Sequence, residues 1–377
     1  MKQLLLGLLA LVVTAFGGDA AWIEHPEYIP VRPVGSVPEA FVEVVEENLF
    51  PYCVASRETL LKVRTEADGL VLTVYDLYGQ TLAEQTLEVD LRYRSPYQLV
   101  PVSDGGFLLV VAFSDRYDQS EGAWASQLID VSSAIYKLNA LGDVEWAYEA
   151  EGCNDPALAK FCELPDGYLF CGDRETPETK KLGVSSATDV HLLKLGKGGE
   201  LLAERTMGGS HFDGIWGLRI ADDRIEFSVY SQSSDGDFPS DGPFIIDNIP
   251  EDGDWLVVLD QDLNVLEKLQ PEDKADLPTS IYDYGPIGIL DGRPVYPDDA
   301  HFADIRGSWP RLLLDYGDFY LIVATHITEE YPDQPFAVSL KWYTYETVYS
   351  AYDKTNRLLW RTAVDSTPDY PSVGDTR

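Results

Sequence analysis

The chain has 377 residues, 12% of them aromatic, and carries 64 acidic against 28 basic residues for a formal net charge of −36. Phosphate recognition needs clustered cations, so this balance argues against nucleic acids and anionic membrane surfaces as partners. The aromatic content argues against a disordered polyelectrolyte, and the acids are spread along the chain as on a solvated, self-repelling surface.

Residues 1–20 read as a signal peptide. Lys2 supplies a positive start, Leu4 to Phe16 an apolar run, and Gly18 and Ala20 the small residues of a cleavage site after Ala20. The run is shorter than the about 20 residues a membrane span needs; a retained N-terminal anchor is the alternative. The mature chain is expected to be secreted or to sit outside the cell envelope, with no membrane insertion after cleavage. Residues 21–40 are Pro-rich and predict an extended lead-in, residues 41–365 one folded domain, and residues 366–377 a loose polar tail.

Within the domain one hairpin type recurs. Its copies are Leu70–Glu84, Ala134–Tyr148, Val190–Glu204, Trp255–Leu269 and Val348–Arg361, with Gly79, Gly142, Gly199, Asn264 and Asn356 at the turn. Gly and Asn tolerate the positive φ that tight hairpins require. A second hairpin type precedes most copies. In it a short turn (Ser103–Gly106, Pro165–Gly167, Ala221–Asp223, Tyr316–Asp318) leads into a nearly continuous apolar strand. Such strands are covered on both faces. Two hairpins make one four-stranded unit. Successive outer turns lie 63, 57, 65 and 92 residues apart, and the long last interval holds the Pro-rich stretch 271–310, read as an insertion or a degenerate unit. The fold class is therefore all-β: a β-propeller of four-stranded antiparallel blades, with five repeats recognisable and six blades favoured. A two-sheet sandwich is the structural alternative.

The four cysteines are Cys53, Cys153, Cys162 and Cys171. Cys162 and Cys171 flank the turn Pro165–Gly167 and are the favoured disulfide; free buried thiols are the alternative.

The copy Val348–Arg361, with Ala351, Asp353, Thr355 and Trp360, resembles the tryptophan-docking repeat of quinoprotein-like (PQQ-like) β-propellers, with Asn356 in place of the turn glycine. Ile135–Gly152 and Ser103–Phe113 resemble repeats of exported bacterial propellers. The resemblance implies that Trp146 and Trp360 dock between neighbouring blades. Quinone-dependent members hold their cofactor with adjacent cysteines, and no two cysteines are adjacent here, which argues against quinone chemistry.

No catalytic constellation is announced. There is no Gly-x-Ser-x-Gly elbow, and the adjacent pair Ser210-His211 would point to opposite faces of a strand. The histidines lack zinc spacing, and Asp298, Asp299, His301 and Asp304 read as a polar turn. Asp235, Asp237 and Asp241 begin like a calcium loop, but Pro239 interrupts the pattern, so Ca²⁺ is kept only as a candidate and no other cofactor is indicated. The connections between second and third strands are long, as at Ser114–Ser133, Asp173–Thr188, Ser231–Gly253 and His326–Thr347. A rigid scaffold with long loops on one side commonly builds a binding face. Tyr117, Trp124, Phe238, Tyr331 and Trp342 are its candidate ligand contacts. The reading is a secreted, non-enzymatic module binding a protein or a glycan. The alternative is a carbohydrate-active hydrolase or lyase using paired acids near the channel.

Overall fold

The computed structural model describes residues 53–66, 69–89, 94–118, 127–150, 160–174, 188–221, 223–239, 253–270, 286–296, 308–330 and 343–365. The segments read as signal peptide, lead-in and tail lie outside them. All regular structure there is β.

Five four-stranded antiparallel meanders follow one another along the chain. The first holds β1 (Cys53–Ala55), β2 (Thr59–Glu66), β3 (Gly69–Asp76) and β4 (Thr81–Leu87). The second holds β5 (Arg94–Pro101), β6 (Phe107–Asp118), β7 (Gln127–Leu138) and β8 (Val144–Ala150). The third holds β9 (Lys160–Glu163), β10 (Gly167–Arg174), β11 (Asp189–Gly196) and β12 (Leu201–Met207). The fourth holds β13 (Asp213–Ala221), β14 (Arg224–Ser231), β15 (Asp254–Leu259) and β16 (Val265–Leu269). A two-stranded hairpin, β17 (Gly288–Leu290) with β18 (Arg293–Val295), falls in the Pro-rich stretch and forms the fifth sheet. The sixth holds β19 (Ser308–Asp315), β20 (Phe319–Glu330), β21 (Tyr343–Asp353) and β22 (Leu358–Asp365).

The apolar runs explain how the sheets stack. On β6, Phe107, Leu109 and Val111 pack with Leu61, Val63, Leu72 and Val74 of the first sheet. The alternate residues Leu108 and Val110 pack with Phe161, Tyr168 and Phe170 of the third. The same two-sided use joins the third sheet to the fourth, and the hairpin β17–β18 to the sixth. The sixth sheet returns to the first: Leu321, Val323 and Trp360 share a cluster with Ala55, Leu60 and Leu77. The Tyr316 hydroxyl donates to the Leu77 carbonyl across 239 positions of sequence at 3.0 Å. First strands of different sheets touch, as in β1 with β5 and β19 and β9 with β13, so they lie innermost. The architecture is a β-propeller: six sheets, five of them four-stranded, around one axis.

The outer hairpins close by one device. A type I turn ends on a residue of positive φ: Gly79, Gly142, Gly199, Leu263 and Asn356. In the fourth sheet that residue is Leu263, one position before the expected Asn264, because Asp260 Oδ1 fixes the register by accepting from Asp262 and Asn264 N–H. Asp76, Asn139 and Asp353 do the same in their own turns. Among the five described outer hairpins, that of the third sheet lacks this acceptor, with Gly196 in its place.

Two lysines at equivalent positions stitch inner to outer hairpins. Lys137 is 2% exposed at its side chain and pairs with Asp104 (3.0 Å) and Glu145 (2.9 Å). Lys194, equally buried, pairs with Asp166 at 2.8 Å and donates to the Gln261 carbonyl of the next sheet. The acids are half-exposed, so they rehydrate if the lysine goes, whereas the lysine cannot. Lys137→Met should change stability by under about 1 kcal/mol, while Asp104→Ala with Glu145→Ala should cost about 3 kcal/mol. Urea unfolding of both variants checks this, and equal costs would contradict it.

Candidate functional site

Three innermost strands carry a β-bulge at the same place, their fourth residue. The strand register skips Tyr97 on β5, Trp216 on β13 and Arg311 on β19. A bulge re-aims the side chain it carries. Trp216 shows the consequence: it sits on an inner strand and is 60% exposed. Tyr230 supports its ring edge-on at 6.1 Å, and Phe212 flanks Tyr230 at 6.3 Å. Gln232 Nε2 donates to the Tyr230 hydroxyl at 3.2 Å, which fixes the phenol.

Two carboxylates stand beside this platform. Asp173 lies one residue from the end of β10, and its Oδ1 is 3.6 Å from where a Cβ on Gly214 would be. Asp213 opens β13, its N–H donating to the Thr188 carbonyl at 2.7 Å. The Asp213 side chain is fully buried; its Oδ2 accepts from Gly209 N–H at 2.7 Å and from the Ser233 hydroxyl at 2.8 Å. Burial pushes the Asp213 carboxyl up to about 6, against the hydrogen bonds of Ser231, Ser233 and Gly209. Burial also lifts Asp173 to about 6; the Ile215 N–H and Lys160 pull it down, and the Asp213 charge adds to the rise. Each carboxylate keeps one oxygen, Oδ1, without a hydrogen-bond partner.

The expected site residues fall in different places. Phe238 is fully buried, packed on Trp255 at 6.1 Å with Lys268 over its ring, and is a core residue where a ligand contact was expected. Its loop folds inward because the Ser231 hydroxyl donates to the Phe238 carbonyl. Tyr117 lies on β6 with its side chain outside the described residues, and Trp124, Tyr331, Trp342 and Asp241 lie outside them altogether. Asp235 accepts from Ser210 N–H, and Asp237 from Gly208 N–H and Lys268, so both hold the connection entering β13. Among the described residues no three His, Cys, Asp or Glu side chains form a ligand set. Cys162 and Cys171 are free, buried thiols here. The hairpin register sets Cys162 opposite Leu169 and Cys171 opposite Lys160, which offsets the two cysteines by two positions. Trp146 donates to the Lys197 carbonyl at 2.9 Å and lies on Gly199, both in the next sheet's turn. Trp360 is buried against Leu77 of the first sheet's turn region.

Ser210 and His211 do meet, Oγ to Nδ1 at 2.9 Å, because their segment is a loop and not a strand. The Trp216 platform was missed in the sequence, where its signal is a tryptophan between small residues, Gly214-Ile-Trp-Gly217. A small cavity of about 220 Å³ between the second and third sheets is lined by Arg174, His191 and Glu204. Those groups are already joined, Glu204 taking Arg174 at 2.6 Å and His191 at 2.9 Å.

No protein-family profile and no curated protein sequence matches the chain. Among solved structures it is similar to a subtype N10 neuraminidase-like protein of A/little yellow-shouldered bat/Guatemala/060/2010, at 8% identity over 83% of this chain and 79% of that one, with a TM-score of 0.34. A DUF4221 family member from Bacteroides vulgatus matches at 10% identity over 83% and 81%, TM-score 0.26. A GH43 β-1,3-galactosidase matches at 10% over 78% and 55%, TM-score 0.30. Likenesses this distant carry no argument about activity; the propeller rests on the sheet order and ring contacts above.

The raised carboxyls set a pH dependence. A raised acid favours the folded state when protonated, so its contribution is full below the unfolded value of about 3.9 and is lost as pH rises through about 6. Asp173→Asn should therefore melt higher than the parent at pH 7.5, with the difference vanishing by pH 4. A difference independent of pH would contradict the assignment.

Proposed function

We propose that this chain is a secreted, non-enzymatic binding module that takes a glycan or protein ligand on the end of the ring where Trp216 lies. The observation that supports this reading is one side chain. A tryptophan on an inner strand is held out to solvent by a bulge and braced by Tyr230, where burial would have gained about 2 kcal/mol or more. An indole face takes the apolar face of a sugar ring or an apolar side chain of a protein, and a nearby carboxylate accepts hydroxyl or amine hydrogens. Asp173 stands near the platform, but its unpartnered Oδ1 is buried, so the ring face and not this carboxylate is what the platform presents. Asp213 serves the fold, because its Oδ2 already holds the segment Gly209–Ser233 together. The excess of acid keeps such an exported module dispersed.

The second reading is a carbohydrate-active hydrolase. Its support is that Asp173 and Asp213 both sit near pH 6, the range a general acid needs. Full burial of Asp213 weighs against it, since a catalytic carboxylate must reach its substrate.

Titration of the mature chain against soluble neutral and acidic oligosaccharides, followed by calorimetry, tests the two readings together. Binding should weaken at least about tenfold in Trp216→Ala, with the melting temperature unchanged and no reducing ends released. Release of reducing ends that Asp173→Asn abolishes would replace the binding reading with the hydrolase. Equal affinity of Trp216→Ala and the parent would remove the platform from the account.

A further inference from the structure

The opposite end of the ring, where the short turns lie, holds a cleft of about 600 Å³ between the first, fifth and sixth sheets. That volume lies within the range of about 300–1,000 Å³ typical of small-ligand sites. It exists because three turns meet unevenly there. The strands β17 and β18 have three residues each, and the fifth sheet gives the wall Ile289 and its turn, Asp291-Gly292, both at positive φ. The first sheet gives the β1–β2 turn with Arg57 and Glu58, and the outer turn with Leu77 and Tyr78. The sixth gives the β19–β20 turn at Tyr316.

The lining is chemically mixed. Tyr78 is 59% exposed and stands edge-on to Tyr316 at 6.0 Å. Tyr316 is fixed in turn by stacking on Phe319 at 4.9 Å and by its hydroxyl bond to Leu77. The Tyr78 ring is thus a braced apolar shelf at the mouth. Arg57 and Glu58 line the same space, and among the described residues their side chains have no ionic or hydrogen-bonding partner. The Arg57 guanidinium lies over Gly292, 3.4 Å from where a Cβ would be, an ordinary contact distance. Asp291 is engaged by Lys354 at 3.1 Å, which Asp315 also takes at 2.7 Å.

We infer that this cleft is a second binding site, for a neutral saccharide. One ring face would lie on Tyr78, with vicinal hydroxyls accepting from the Arg57 fork and donating to Glu58. Arg57 supplies donors, Glu58 acceptors and Tyr78 the apolar face, the three elements that a polyol with one apolar side needs. An anionic ligand fits less well, since Glu58, Asp291 and Asp315 line the same wall. The inference extends the binding reading to a separate end of the ring and shares no residue with the Trp216 platform. With sites at both ends, one molecule can bridge two glycan chains, and surface-bound avidity exceeds either single affinity.

Saturation-transfer NMR of the full chain with cellobiose, maltose and lactose tests it, comparing the parent with Tyr78→Ala, Arg57→Ala and Trp216→Ala. All three side chains are well exposed or half-exposed, so the variants should fold; melting temperature verifies that. The cleft is supported if one of these sugars loses at least about tenfold in affinity in Tyr78→Ala and in Arg57→Ala yet binds Trp216→Ala as it binds the parent. It is overturned if sugar binding is lost in Trp216→Ala alone, which leaves the platform reading intact. It is also overturned if the parent binds none of the three sugars, or if an acidic disaccharide binds the cleft more tightly than they do.

Discussion

The structure depends on its sheets covering one another's apolar faces, and the first and sixth sheets cover each other only if the ring closes. A four-stranded meander with apolar residues on both faces cannot stand alone in water. Phe107, Leu109 and Val111 would be covered while Leu108 and Val110 were not. Stacking solves this between neighbouring sheets, and contact between the first and the sixth covers the faces those two turn to each other. Here Trp360, Leu321 and Val323 of the sixth sheet meet Ala55 and Leu60 of the first, and the Tyr316 hydroxyl ties the Leu77 turn. Because the inner edges of first strands meet no further strand, they are the natural place for bulges. The exposed Trp216 is therefore a product of closure as much as of its own residue type.

The same closure builds the cleft at the other end. Its walls come from positions near 57, 78, 291 and 316, distant in sequence and brought together only when the sixth sheet returns to the first. The platform and the cleft are properties of the ring and not of any one repeat. That is why a scaffold of repeated blades can present two chemically different surfaces.

What the residues reveal before folding follows from the range of each interaction. Outer hairpins were legible because their signals are local: Gly79, Gly142 and Gly199 supply positive φ within a few residues of the strands they join. The acceptor three positions earlier, Asp76, Asn139, Asp260 or Asp353, is just as local, and would have placed the fourth turn on Leu263. The bracing of Trp146 was legible only through a resemblance, since its partner Lys197 lies 51 residues away. Asp235 and Asp237 looked like calcium ligands because alternating acids read alike whether they face an ion or a backbone. In the fold they accept from the N–H groups of the Gly208–Ser210 segment, a partner 25 or more residues away that the local pattern does not reveal. Phe238 followed its loop into the core for the same reason, and no pattern in the sequence announces the Asp173–Asp213 pair or the cleft.

The central claim is that Trp216 is displayed for a ligand and not for chemistry. Incorporating 5-fluorotryptophan gives one ¹⁹F signal for each of the eight tryptophans, and Trp216→Phe identifies the one in question. Added in steps, a binding oligosaccharide should move that signal progressively while those of Trp146 and Trp360 stay fixed and the sugar is recovered unchanged. A Trp216 signal that ignores a bound sugar, or a sugar recovered in pieces, would contradict the account.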